Sequence, residues 1–278
     1  MSRTTTIGRS MLELLLILSI SLIPVASGLA VMVYQQDRKL EENARVSVQE
    51  AIFSVDLSLD RLHAIASNAL ALAGKPCAEA KGSLIKLATE TQYLRSLTLA
   101  EGGEAYCSSM AGFADAQMVQ AAPSMPVQLA FISTLAPEGA LLVHKVEHEA
   151  FSAIATAYAD QLRNELRAFQ DGLTLLLQFG DGYIWADGDS RGLSRPSQAE
   201  YFHRGMSEKY GYTVEAGYAA GFSANEARQS MLLVLPSLVL IGVVTGSVIY
   251  WALFRRDPRS SRRRVHTRRP LTPPCVRF

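Results

Sequence analysis

Two long apolar runs decide what this chain can fold into. The first, residues 11–34, contains one charged residue, Glu13, and the second, residues 231–254, contains none. Each run has 24 residues and would form a helix about 36 Å long, whereas the hydrocarbon core of a bilayer is about 30 Å thick. We therefore predict a membrane protein with transmembrane helices at residues 11–34 and 231–254, in contact with the lipid bilayer.

The first run also begins like a cleaved signal peptide. Arg3 and Arg9 give it a basic start, and Val25-Ala26-Ser27 offers small residues for cleavage. The apolar core of a signal peptide, however, has only about 7 to 15 residues. Since this apolar stretch continues to Tyr34, we expect it to be retained as an anchor.

Charge is distributed unevenly about the two runs. Residues 35–230 carry 16 Lys and Arg against 24 Asp and Glu, a net charge of 16 − 24 = −8, whereas residues 255–278 carry nine Arg and one Asp, a net charge of 9 − 1 = +8. Basic flanks of transmembrane helices stay cytoplasmic. We therefore expect a bacterial inner-membrane protein whose N-terminus (residues 1–10) and basic tail (255–278) are cytoplasmic and whose central domain (35–230) is periplasmic. The acidic domain argues against a nucleic-acid partner.

The central domain begins with a long helix. No Gly or Pro occurs between residues 29 and 73, so the first helix can continue beyond the membrane without a break. Within it, apolar residues repeat in alternating steps of four and three, a heptad pattern formed by Val48, Ile52, Val55, Leu59, Leu62, Ala66 and Ala69. This stripe packs either on the chain's own sheet or on a second subunit. A homodimer through the long helix is one expectation.

The remainder of the domain predicts an α+β fold with a mainly antiparallel sheet. We predict further helices at residues 77–91 and 149–169, with another starting at 224–229. Strands are predicted at residues 93–99, 104–109, 127–133, 139–147, 173–179, 183–187 and 210–218. The chain enters and leaves this domain at nearby points, because a predicted span lies on each side of it. This order of elements suggests a sensor domain between two spans.

Three cysteines occur, and the predicted topology separates them. Cys77 and Cys107 fall in the oxidising periplasm, while Cys275 falls in the reducing cytoplasm. A bridge between the first two would close a loop that contributes roughly 3 to 4 kcal/mol of chain entropy. A purely structural disulfide and a reducible, switching one both remain open.

The sequence supports other catalytic or metal-binding sites less well. Ser108 and Ser109 follow Cys107, but no base and acid accompany them at a catalytic spacing, so we expect strand or turn residues. His144 and His148 lack a third ligand. The sequence thus predicts no catalytic residues, metal or cofactor. Gly242 and Gly246 form a small-xxx-small pair that favours helix contact, and with it a homodimer, in the second span.

The cysteines and their surroundings resemble a known family. The first span, the long helix, Cys77 near its end, the strand at 93–97, Cys107-Ser108-Ser109 followed by Ala111-Gly112, and the second span are similar to the periplasmic CSS-motif sensor domain of EAL-type cyclic-di-GMP phosphodiesterases. The likeness covers about residues 1–256. It implies a redox-responsive input domain that depends on Cys77, Cys107, Ser108 and Ser109 and that exchanges electrons with periplasmic thiol-disulfide oxidoreductases.

The chain departs from that family after the second span. Only 24 residues follow residue 254, nine of them Arg and four Pro, and no Glu-Ala-Leu tripeptide occurs. We therefore expect the input half of a cyclic-di-GMP phosphodiesterase without its catalytic domain. A truncated or frameshifted fragment of the full enzyme is one alternative, and a small-molecule receptor with a pocket between sheet and helices is another.

Overall fold

The computed structural model describes residues 3–91, 93–110, 126–131, 139–169, 172–191 and 194–254. The predicted basic tail and Cys275 lie outside these residues. The chain divides into two compact units, one formed by residues 1–36 and 227–278 and the other by residues 37–226. Helix α1 (Arg3–Leu70) and the last helix, α4 (Phe222–Phe254), each run through parts of both units.

The described residues of the first unit form two apolar helical segments. Within the described residues, α1 and α4 are long and apolar enough to cross a membrane, by length and composition. A Cβ added to Gly242 of α4 would lie 3.1 Å from Cγ2 of Val25, and one added to Gly246 would lie 3.4 Å from Cβ of Ser21. The two glycines predicted to mediate helix contact thus face α1 of the same chain, where small residues allow close approach.

The second unit contains two five-stranded antiparallel sheets. The first sheet has the order β2-β1-β5-β4-β3 and the second the order β8-β7-β6-β10-β9. The strands of the first sheet are β1 (Leu94–Glu101), β2 (Glu104–Ser108), β3 (Val127–Phe131), β4 (Ala140–His148) and β5 (Phe151–Tyr158). Those of the second are β6 (Leu173–Phe179), β7 (Gly182–Trp185), β8 (Gly188–Asp189), β9 (Glu200–Met206) and β10 (Thr213–Tyr218). The described residues of the unit also form two short helices, α2 (Cys77–Thr89) and α3 (Asp160–Arg167). The predicted α+β class with antiparallel sheets is confirmed.

The heptad stripe of α1 lies in the core of this unit. Six of its seven residues are buried, and Leu59 and Ala66 are fully inaccessible. They share one apolar cluster with residues of both sheets. The stripe therefore packs on the chain's own sheets, since a helix that covers two sheets buries apolar residues every three or four positions.

The predicted amphipathic helix at residues 149–169 is wrong. That segment forms strand β5 followed by the short helix α3. Strand β5 lies in the middle of its sheet, between β1 and β4, and six of its eight residues are buried. A strand buried on both faces needs no alternation of apolar and polar residues, so the spacing of its large side chains resembled a helix. The turn from β4 to β5 uses Glu149, at φ 55°, rather than the Asn-Gly pair that signals a hairpin.

Two strands, the two-residue β8 and the longer β9, have no counterpart among the sequence predictions. Strand β9 pairs with β10 at the edge of the second sheet, and its burial alternates weakly between half-buried and exposed. Glycine is required at one position: a Cβ on Gly205 would lie 2.7 Å from Cγ1 of Val48 and 2.8 Å from Cδ1 of Ile52. The strand passes so near α1 that a larger residue there would displace it.

Candidate functional site

The two cysteines that the sequence predicts to lie in the periplasm are joined at the end of the long helix. After Leu70 the chain turns through Gly74, at φ +80°, a conformation that glycine adopts without steric cost. Pro76 then precedes α2, and Cys77 is its first residue. Proline suits this place because it cannot continue the preceding helix.

Cys107 lies on the edge strand of the first sheet. It pairs with Leu99 of β1 and is completely buried. Cys77 and Cys107 form a disulfide whose Cα atoms are 5.2 Å apart. The bridge therefore fastens the start of α2, and with it the turn that ends α1, to strand β2.

The two sulfur atoms differ in access. Cys77 is half-buried, whereas Cys107 has no accessible surface. A thiolate that attacks the bridge from solvent would therefore reach the sulfur of Cys77 first, because exchange requires direct approach to one sulfur. The sulfur of Cys107 also lies 3.6 Å from the carbonyl oxygen of Cys77, which could accept a hydrogen bond from the Cys107 thiol after reduction.

A hydrogen bond also connects the same turn to β2. The backbone N–H of Gly74 donates to the hydroxyl of Tyr106 at 3.1 Å. Helix α2 packs on β1 and β2 through Ala80 and Leu84, both fully buried. After reduction of the disulfide, this hydrogen bond and this apolar contact would still connect the junction to the first sheet. No local sequence pattern indicates this role of Tyr106, because its partner is 32 residues away.

The two serines after Cys107 complete the pairing of β1 and β2. The backbone N–H of Leu97 donates to the hydroxyl of Ser109 at 2.9 Å, and the backbone N–H of Ser109 donates to the carbonyl of Leu97 at 2.9 Å. The hydroxyl of Thr98 donates to that of Ser108 at 3.1 Å. The hydroxyls therefore serve as hydrogen-bonding partners where the strand ends, which fits the small polar residues of the motif.

Further along α1, a polar cluster connects the helix to the turn before β10. The hydroxyl of Tyr212 donates to Asp56 at 2.8 Å, and that of Tyr210 donates to Asp60 at 2.7 Å. Burial and the neighbouring carboxylates raise the pKa of both tyrosines above the usual range. Hydrogen bonds from Lys209 and Tyr210 lower the pKa of Asp60. These partners are about 150 residues apart in the chain, so no local sequence pattern indicates them.

A pair of histidines joins α1 to the first sheet. Nδ1 of His63 and Nε2 of His144 are 3.1 Å apart, so one nitrogen donates a hydrogen bond and the other accepts it. The ring of Tyr210 meets that of His144 edge-on, with centroids 5.8 Å apart. His148, the other member of the predicted pair, lies exposed at the end of β4. Among the described residues, no group of three or more His, Cys, Asp or Glu is placed to hold a metal.

Because His144 is buried, we expect the free energy of unfolding of the protein to fall in mild acid. Burial, and then the charge of His63, lower the pKa of His144 from 6.5 to about 4. The imidazole of His144 binds a proton more readily in the unfolded chain than in the folded protein. The stabilisation that the neutral, buried His144 gives the folded protein is therefore complete above pH 6.5 and is lost as the pH falls toward 4. We expect His144 to cost the protein about 2 kcal/mol between pH 7.5 and pH 5. Denaturant unfolding at the two pH values would measure it.

The matched comparison is between His144→Gln and His148→Gln. The first variant should lose this part of the pH dependence and the second, at an exposed site, should keep it. Carboxylates with lowered pKa values, such as Asp60, contribute equally to both variants. Identical pH profiles for the wild type and His144→Gln would contradict the assignment.

A family profile matches the family that the sequence resembles. The profile described as "CSS motif domain associated with EAL" matches residues 40–231, more than half of the chain. No curated protein sequence matches at a significant level. Six chains of solved structures match. One is the extracellular domain of the histidine-kinase candidate rpHK1S-Z16, at 11% identity and a TM-score of 0.45, over 68% of this chain and 96% of that one. The chain belongs to the family of CSS-motif domains associated with EAL.

Proposed function

We propose that this protein is a redox-responsive sensor of cyclic-di-GMP signalling, anchored in the bacterial inner membrane with its CSS-motif domain in the periplasm. The observation that carries the proposal is the Cys77–Cys107 disulfide, which fastens the end of the long helix to the first sheet. That helix is the continuation of the first apolar segment. A change at the disulfide would therefore occur next to the end of the helix that, in this proposal, enters the membrane.

The proposed topology rests on charge and length. Helices α1 and α4 are each long enough to cross a bilayer, and arginines flank the apolar runs at both ends of the chain while the segment between them is acidic. The positive-inside rule then places both termini in the cytoplasm. An extracytoplasmic location also favours formation of the disulfide.

The proposed switch is a thiol–disulfide exchange with a periplasmic oxidoreductase. A thiolate of the reductant attacks the sulfur of Cys77, the S–S bond breaks, and Cys107 leaves as a thiolate that takes up a proton. A second thiol of the reductant then attacks the mixed disulfide and releases Cys77, so two electrons pass from the reductant to the bridge. Freed from β2, the α1–α2 turn can shift, and α1 carries that shift toward the membrane.

The link to cyclic-di-GMP is supported by the family, whose domains are associated with EAL. The CSS-motif domain would provide the input, either to a partner or to a catalytic domain encoded next to it. Translating the other two reading frames of the adjoining DNA distinguishes these cases. An EAL-type sequence there favours a fragment of a full phosphodiesterase, and its absence favours a free-standing sensor.

The redox state in living cells tests the switch. In a Cys275→Ser chain only Cys77 and Cys107 remain, so a maleimide carrying a polyethylene glycol adds two mass steps to reduced protein and none to oxidised protein. We expect the reduced fraction to rise under reducing growth conditions and when the cell's disulfide-forming oxidase is removed. If the pair stays fully oxidised under every condition, the bridge is structural and the switch proposal fails.

A receptor with a pocket between helix and sheet is less well supported. The cavity that α1 forms there with β4, β5 and α3 has a volume of about 70 Å³, whereas pockets for small molecules have about 300 Å³ or more. Its lining includes Leu62, Tyr93, Leu142 and Leu162. A pocket of this size holds a few water molecules.

We also propose a parallel homodimer through the outer face of α1. Phe53 and Leu57 lie one turn apart on this face and are 73% and 45% exposed. Two copies in one membrane have parallel α1 helices, so the same residues can meet across a two-fold axis. Exposed large apolar side chains on a helix commonly mark such contacts.

Phe53→Glu should weaken this dimer by about tenfold or more, since it would place two like charges at the centre of the contact. Sedimentation of the full chain in detergent at several concentrations measures the effect. Phe202→Glu is the matched control, because Phe202 is also exposed, at 50%, but lies on β9. Unchanged sedimentation of Phe53→Glu would place any dimer contact elsewhere.

A further inference from the structure

The second sheet has an outer face that neither the disulfide nor the long helix uses. The pairing of its strands places Glu215 of β10 opposite Leu176 of β6, and Leu176 opposite Trp185 of β7. Gln178, two residues further along β6 and on the same face, lies opposite Tyr183. Residues that pair directly point to the same side of a sheet. This face therefore combines a carboxylate with two neighbouring aromatic rings.

The carboxylate is buried and neutralised by arginines. Glu215 is 5% exposed. Its Oε2 accepts a hydrogen bond from the guanidinium of Arg195, and Nε of Arg204 lies 3.8 Å from its Oε1. The same Arg195 guanidinium lies 5.6 Å from the ring centroid of Tyr183. A buried carboxylate beside an aromatic face is the combination that binds organic cations.

Arg195 belongs to a segment that crosses this face rather than to the sheet. We call residues 194–199 the strap. Gln198 holds it, because its amide donates to the backbone carbonyls of Thr174 at 2.9 Å and Glu215 at 3.2 Å. Gly217 leaves room for it, since a Cβ there would lie 2.8 Å from Cβ of Gln198. The side chain of Arg195 nevertheless remains 44% exposed, so it can swing into solvent while Gln198 keeps the strap in place.

Space for a ligand adjoins this contact. A cavity of about 330 Å³ is lined by Pro196 of the strap and by Thr174 and Trp185 of the sheet. Among the described residues of its lining, Asp187 is the charged one. The ring of Trp185 stacks on that of Tyr183, with centroids 6.0 Å apart. The cavity is thus large enough for a small molecule, and its charge favours a cation.

We propose that the outer face of the second sheet is a binding site for a small organic cation with a guanidinium or amine head, which the chain's own Arg195 occupies when no ligand is bound. The ligand's head replaces the Arg195 guanidinium between Glu215 and Tyr183, and its body enters the cavity beside Trp185. Exchange of one cation for another keeps the buried carboxylate paired throughout. An anion would instead approach a buried negative charge, which disfavours it. The site is separate from the disulfide, so this inference does not depend on the redox proposal.

Fluorescence of Trp185 in the full chain tests the site. The protein has two tryptophans, and a Trp251→Phe background leaves Trp185 as the single reporter. The probes are ethylguanidinium, which copies the end of an arginine side chain, and ethylurea, its neutral isostere. In detergent solution we expect ethylguanidinium to change the fluorescence saturably and ethylurea to have no such effect. The same saturable change with both probes would overturn the cation assignment.

Variants separate this site from general salt effects. Arg195→Ala removes the internal competitor and should bind ethylguanidinium about tenfold more tightly than the Trp251→Phe parent, since a site that is mostly occupied loses apparent affinity in proportion. Glu215→Gln should abolish binding, and Arg61→Ala, on α1, should leave it unchanged. Tyr183→Leu, which keeps Glu215 intact, should weaken binding about threefold. If Arg195→Ala binds no more tightly than the parent, the proposal is overturned, whether or not Glu215→Gln folds.

Discussion

Cys107→Ala lowers the free energy of unfolding of the domain formed by residues 37–226 by about 4 kcal/mol in our expectation. The bridge to Cys77 closes a loop with a sequence separation of 30 residues, and the loss of that constraint frees about 3 to 4 kcal/mol of chain entropy in the unfolded state. The remainder comes from the small cavity left at a fully buried position. Denaturant unfolding of the full chain in detergent, followed by circular dichroism, measures the loss.

Cys77→Ala provides the matched comparison. It removes the same bridge but leaves its cavity at a half-buried site, so we expect a slightly smaller loss. The double variant should lose little more than Cys107→Ala, because both substitutions remove a single bond. Cys275→Ala should be neutral. Should the oxidised wild type and the wild type reduced with dithiothreitol unfold at the same denaturant concentration, the bridge would have no stabilising role.

This loss also bears on the redox proposal. If the bridge contributes about 4 kcal/mol of a net stability of about 5 to 15 kcal/mol, then reduction leaves a folded but weaker domain. The weakening should be concentrated at the α1–α2 turn, which would keep the hydrogen bond between Gly74 and Tyr106 and the packing of α2 on β1 and β2. Hydrogen exchange of oxidised and reduced protein would locate it. Uniform loss of protection over both sheets would argue for a structural bridge.

Leu59→Ala is expected to destabilise the domain by about 3 kcal/mol. Leu59 is fully inaccessible and belongs to the apolar cluster that α1 forms with both sheets. Truncating a buried leucine removes its transfer free energy and leaves a cavity that the surroundings fill only in part. Denaturant unfolding of the monomeric chain measures the change.

Leu57→Ala is the control two residues away on the same helix. Leu57 is 45% exposed, so we expect a loss below about 1 kcal/mol. A similar loss for the two variants would mean that α1 does not pack on the sheets with its heptad stripe inward. The comparison therefore tests the orientation of the long helix directly.

Short-range patterns predicted much of the fold. Gly180-Asp181-Gly182 between two apolar stretches is typical of a hairpin such as that of β6 and β7, and Gly74 with Pro76 is typical of the end of a helix such as α1. Both signals depend on backbone conformations that few residues adopt, so they survive without tertiary context. Strand β5 was missed because its burial on both faces comes from its neighbours in the sheet, which a local pattern does not contain.

The sequence likewise indicated some residues of the candidate sites and not others. The sequence identified Cys77, Cys107 and the two serines because cysteines are rare in the chain and the predicted topology separated them. It did not identify the ties between Asp56, Asp60 and the tyrosines of residues 210–212, nor the contact of Arg195 with Glu215. Aspartate, arginine and tyrosine are common on protein surfaces, and their pairing becomes visible when the strand order places them on one face.

By itself, the sequence determined two apolar helices long enough to cross a membrane, an acidic α+β domain between them, and a cysteine pair in that domain. These features follow from hydrophobicity, charge and the conformational limits of glycine and proline, which act locally along the chain. Only the tertiary structure decided that the heptad stripe faces the chain's own sheets, that Cys107 is the inaccessible half of the disulfide, and that a buried Glu215 is covered by Arg195. Burial and pairing depend on residues distant in the sequence, and they exist only after the chain has folded.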